Sequence, residues 1–149
     1  MREDVKLSLL KQELAFTQKA STALDYSYHR CLKIGKKDQY TLEEEERFES
    51  FTSRFARLSD ILIQKLFRLI DQIELEDNGT VRDRINRAEK KGLIKNANEF
   101  ILIRELRNSI AHEYQEEAIR KIFHIVLDKT PQLFDCVYRI TQYCKKYPI

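Results

Sequence analysis

From Asp4 to Ile34 the apolar and small side chains recur every third and fourth position, through Leu7, Leu10, Leu14, Thr17, Ser21, Leu24, Tyr28 and Cys31. That spacing draws one stripe down a helix of 3.6 residues per turn; a strand, whose side chains alternate, would scatter it over both faces. Only three Gly and two Pro occur in 149 residues. The many tight turns of a sandwich or barrel are therefore out of reach. The expected fold is all-α, an up-and-down bundle of about five to six helices forming one domain over residues 1–149.

Boundaries follow from caps. Gly35 is placed to close the first helix as a left-handed cap, beside Lys33, Lys36 and Lys37 at the negative end of its dipole. Thr41 and Glu44 have the capping-box spacing and open a second helix, whose face is Phe48, Phe51, Phe55, Leu58 and Leu62, continued by Leu66, Leu69 and Ile73. Asn78-Gly79-Thr80 has the pattern of a glycosylation acceptor or a hairpin turn; in a helical chain it reads better as a loop, with Thr80 and Asp83 capping a short third helix that ends near Gly92. A fourth helix starts near Asn96 or Asn98 and carries Leu102, Ile103, Leu106 and Ile110 inward. A fifth covers Glu116 to Asp128, burying Ile119, Ile122, Phe123 and Val126. Thr130-Pro131 then reads as a cap with proline at the first helical position, opening a last helix that buries Leu133, Val137, Ile140 and Cys144.

No run of apolar residues is long enough to span a membrane, and Met1-Arg2-Glu3-Asp4 leads into charged helix rather than a signal core. A cytoplasmic location is expected. Cys31, Cys136 and Cys144 are odd in number and fall on apolar helical positions, which suits buried, reduced thiols. His29, His112 and His124 stand far apart, no paired-Cys spacing or HExxH occurs, and no Gly-rich phosphate loop is present. Neither a metal nor a cofactor is expected. Cys31 lies two residues from His29, a spacing that does not bring a nucleophile and base together on a helix.

One segment stands apart. Arg104-Glu105-Leu106-Arg107-Asn108-Ser109-Ile110-Ala111-His112-Glu113-Tyr114 crowds two Arg, an Asn, a His and a Tyr beside an apolar stripe. At about 100° per residue, Arg104, Arg107, Ala111 and Tyr114 share a flank, and planar guanidinium forks suit phosphate oxygens. The plainer alternative is a set of solvated residues bordering the core. His112 sits about 140° around the helix from Arg107, so an unbroken helix points the two apart. Either the helix distorts near Ser109 to Ala111, or a second copy of the chain completes the site.

Arg107-Asn108-Ser109-Ile110-Ala111-His112-Glu113-Tyr114 resembles the Arg-polar-x3-His motif of HEPN (higher eukaryote and prokaryote nucleotide-binding) domains. With Tyr114 it resembles the Arg-x4-His-x-Tyr form of the HepT-like toxins. The resemblance covers almost the full length in size and helical character. It implies a metal-independent endoribonuclease toxin, acting on RNA as a homodimer whose two motifs meet at the interface. Arg107 and His112 would be the catalytic pair, Asn108 and Arg104 supporting residues. His112 would move a proton at the ribose 2′-hydroxyl or the leaving oxygen, and Arg107 would stabilise charge on the phosphate. The family further implies a minimal nucleotidyltransferase antitoxin that AMPylates the motif tyrosine, here Tyr114, placing bulk and negative charge where RNA must sit. The alternative is a non-catalytic HEPN module that only docks the nucleotidyltransferase; a plain helical interaction protein is a third.

The overall charge of +3 does not announce nucleic-acid binding. Arg82 to Arg107, however, holds eight basic and four acidic residues, a local excess able to guide a phosphate backbone. Tyr26, Tyr28, Tyr40 and the C-terminal tyrosines are candidates to stack on bases, but their helical spacing fits packing better.

Overall fold

The computed structural model describes residues 2–149; Met1 lies outside them. The described residues form helices and no strand, in the order α1 (Glu3–Ile34), α2 (Leu42–Asp60), a π-helical segment (Ile61–Leu66), α3 (Phe67–Ile73), α4 (Val81–Lys90), α5 (Ala97–His112) and α6 (Glu116–Tyr143), closed by a 3₁₀ turn (Cys144–Lys146). Because α2, the π segment and α3 run on as one rod, the chain forms an all-α bundle of five rods among these residues. None of the helices is long and apolar enough to cross a membrane.

The caps act as their residue types require. Thr41 Oγ1 accepts from the Glu44 N–H and the Glu44 carboxylate returns a bond to the Thr41 N–H; Thr80 and Asp83 do the same at the start of α4. Gly35 closes α1 at φ +77° and ψ −174°, a region open to glycine alone rather than the ordinary left-handed cap. At the end of α3, Leu75 takes a positive φ of 59°, while the Glu76 N–H donates back to the Asp71 carbonyl. That is a Schellman-type stop built on a leucine. No glycine announces it.

Two expectations fail in detail. Thr130-Pro131 does not separate two helices: α6 is one 28-residue helix with Pro131 inside it. The Thr130 hydroxyl donates to the Val126 carbonyl at 2.7 Å, satisfying itself along the helix instead of capping one. On α5 the buried stripe is Ala97, Phe100, Ile103 and Leu106, and Leu102, one step off it, is 49% exposed.

The core is one cluster dominated by Phe48, Phe51, Phe55 and Phe67 with leucines from α1 and the α2 rod. Phe48 stacks on Phe123 of α6 at 4.8 Å between centroids, and Tyr40 packs against both rings. Tyr28 is wedged against Phe51 and Phe134. These tyrosines are packing residues. All three cysteines are buried and free, and burial pushes the Cys31 thiol up to about 11 and Cys144 to about 12.

Candidate phosphate-facing cleft

The site is made where α5 crosses the end of α2. Burial of Phe100, Ile103 and Leu106 fixes the rotation of α5, and that rotation puts Arg104, Arg107 and Asn108 on the edge facing the α2 rod. On the other side the rod changes from α to π hydrogen bonding just after Asp60. The Phe67 N–H reaches back five residues to Leu62, and Leu62, Ile63, Leu66 and Phe67 of this stretch are all buried in the core. The cleft between the two walls has a volume of about 500 Å³ and opens to solvent.

Its central contact is an ion pair. Arg107 grips Asp60 in a two-pronged fork, Nε to Oδ1 at 2.8 Å and Nη2 to Oδ2 at 2.9 Å. The Asp60 hydrogen bond holds the Arg107 guanidinium above its ordinary pKa, outweighing the slight desolvation that opposes it. One prong of the guanidinium, Nη1, makes no bond among the described residues. Around the pair stand Arg57, Lys65 and Arg104, none of which has an acidic partner among the described residues. Four cations against a single carboxylate give the cleft a net positive charge, which favours an anion over a cation there.

The expected residues divide. Arg104, Arg107 and Asn108 line the cleft; His112 and Tyr114 do not. His112 is the exposed last residue of α5, and the helix is regular from Ala97 to that point, so no distortion near Ser109 to Ala111 swings it toward Arg107. Tyr114 is not on the Arg107 flank at all. The chain turns extended at Glu113, with φ −85° and ψ 136°, and the Glu113 carboxylate accepts the N–H groups of Tyr114 and Gln115. Tyr114 therefore projects from a three-residue link and is 87% exposed. Among the described residues no cluster of three His, Cys, Asp or Glu could hold a metal ion.

The basic excess from Arg82 to Arg107 also divides. Arg87 and Lys91 turn inward onto buried Asp71, at 2.9 and 2.7 Å, and Lys91 also meets Glu74 and Glu76. Those charges brace α4 against α3 and are not free to guide RNA. The residues that sequence reasoning missed are Asp60, Arg57 and Lys65, all 39 or more positions from the motif. Nothing near them in the sequence marks them: the apolar pairs Leu62-Ile63, Leu66-Phe67 and Leu69-Ile70 keep the ordinary helical spacing of three and four.

Compared with known proteins, the chain matches no family model, no curated protein and no solved structure.

Proposed function

We propose that this protein is a metal-independent endoribonuclease of the HepT-like toxin type, working at the cleft where α5 meets the π segment. The observation that carries the reading is the cleft itself: Arg107, held by Asp60, lies among Arg57, Lys65 and Arg104, in a site whose charge suits a phosphodiester. In the proposed reaction a ribose 2′-oxygen attacks the adjacent phosphorus. The P–O2′ bond forms as the P–O5′ bond breaks, leaving a 2′,3′-cyclic phosphate and a 5′-hydroxyl. The 2′-hydroxyl proton leaves to a base, and the departing 5′-oxygen takes one up. Arg107, already fixed in direction, stabilises the negative charge on the phosphoryl oxygens, and His112 carries a proton. Since one α5 helix aims Arg107 and His112 apart, His112 comes from a second copy, and the working unit is a homodimer. Tyr114, exposed on its link, is the site a nucleotidyltransferase antitoxin modifies, and a cytoplasmic location follows from that pairing.

The second reading, a module that docks a nucleotidyltransferase without cutting RNA, draws on one observation: His112 is outside the cleft and makes no hydrogen bond among the described residues. Cleavage separates them. Purified protein is expected to cut RNA in the presence of EDTA, leave a 2′,3′-cyclic phosphate and behave as a dimer in light scattering. His112→Ala and Arg107→Ala are each expected to slow it by about a hundredfold or more. Activity that needs added magnesium, or an active strict monomer, contradicts the proposal.

A further inference from the structure

Beyond the cleft lies a second group of cations that neither the motif nor the ion pair uses. Arg84 of α4 reaches over the π segment and donates to the Ile63 carbonyl at 3.3 Å and to the Gln64 side-chain oxygen at 3.2 Å. Both acceptors are neutral. Its Nε is buried with no hydrogen-bond partner among the described residues. Burial and the neighbouring Arg68 guanidinium both lower its pKa. The carboxylates that act on it from a distance, Asp71 and Asp77, do not touch it; Asp71 is occupied by Arg87 and Lys91. Arg68 is exposed and has no acidic partner either. Arg68 stands one helical turn from Gln64, which accepts from Arg84, and neither guanidinium is bonded to a carboxylate among the described residues, so an anion bound there meets two unneutralised cations.

The placement is continuous with the cleft. Gln64, which accepts from Arg84, is itself a cleft-lining residue beside Lys65. Arg57, Lys65 and Arg68 follow one another along the same rod, over a rise of about 16 Å at 1.5 Å per residue. We infer that these residues form a phosphate track: a single RNA strand whose scissile phosphate lies at Arg107 leaves the cleft along the π segment, its next phosphates meeting Lys65, Arg68 and Arg84. The inference rests on the ribonuclease reading for the position of the scissile bond, and on the cation geometry alone for the path. A cleft of about 500 Å³ that opens to solvent holds one or two nucleotides of a flexible strand, with the rest of the strand lying outside it.

The test is anisotropy titration of a short labelled single-stranded oligoribonucleotide against the full chain carrying His112→Ala, which keeps the probe intact, at several salt concentrations. Arg68→Gln and Lys65→Gln are each expected to weaken binding roughly three- to tenfold and to lower the salt slope by about 1, with Arg68→Lys close to the parent. Arg84→Gln leaves the Ile63 carbonyl without its partner and is scored only beside its thermal midpoint; the exposed Arg68 and Lys65 decide the matter. Unchanged binding in both, with Arg104→Gln still weakened, overturns the track and spares the cleft. Binding lost in the variants, while the His112-intact protein leaves RNA uncut, upholds the track and overturns the ribonuclease. A duplex bound as tightly as the single strand, or no binding to either, overturns the inference.

Discussion

At the residue scale the decisive contact is Arg107 with Asp60. Both side chains are partly solvated, at 32% and 44% exposure, so the pair contributes less than about 1 kcal/mol to folding. Its effect is directional: two bonds fix the guanidinium in the cleft wall. Asp60 is thus a positioning residue for Arg107. Under the proposed function, Asp60→Asn is expected to leave the thermal midpoint nearly unchanged while lowering cleavage roughly tenfold, a smaller loss than that expected of Arg107→Ala. Equal loss of stability and activity in both variants would instead mean the pair is only a brace. Tyr114 works differently. Nothing among the described residues holds its ring, so under the proposed function Tyr114→Phe is expected to keep most of the ribonuclease activity and to abolish modification by a nucleotidyltransferase. Intact mass after incubation with that enzyme and ATP reads the difference; AMP increments on the variant as on the wild type would remove Tyr114 from this role.

At the element scale the molecule departs most from simple periodicity in its α2 rod and in α6. The π turn falls in the stretch of the rod that faces α5, where Asp60 and Lys65 line the cleft wall. In α6 the uninterrupted helix tolerates Pro131, which has no N–H to offer the Leu127 carbonyl. Pro131→Ala is therefore expected to restore that bond and raise stability by about 1 kcal/mol, a rise of about 2–4 °C in Tm by circular dichroism. Were Pro131 instead the first residue of a separate helix, the same change would gain nothing. The α5–α6 link is the opposite case. The helix stops after His112 without glycine or proline because Glu113 turns extended and its own carboxylate holds the next two N–H groups. Sequence reading ran the helix through to Tyr114 for that reason.

At the scale of the whole molecule, charge also builds the scaffold. Glu74 at the end of α3 accepts from the Tyr143 hydroxyl at 2.6 Å and from the Tyr147 hydroxyl, and faces Lys91 and Lys146, so one carboxylate ties α3, α4 and the C-terminus together. Burial pushes its pKa up, but these four donors together outweigh burial and hold it at about 2 against an ordinary 4.5. A depressed carboxylate stabilises the fold above the unfolded value and loses that contribution as pH falls through the folded one. Stability is accordingly expected to decline from about pH 4.5 toward 2, by at most about 3 kcal/mol from this group. Glu74→Gln is expected to be less stable at pH 7 and to show a flatter pH dependence across that window in urea unfolding. What the sequence by itself determined is the helical class, both capping boxes, the buried thiols and the apolar faces of α1, α2 and both halves of α6, because each is set by neighbours within one or two turns. Arg104, Arg107 and Asn108 were legible as a group for the same reason. The tertiary structure alone decided that Asp60, 47 positions away, receives Arg107, that Arg87 and Lys91 are spent on Asp71, and that Arg57 and Lys65 face the motif. Partners of a charged side chain are chosen by which helices pack and at what rotation, and apolar contacts between residues distant in sequence set that rotation.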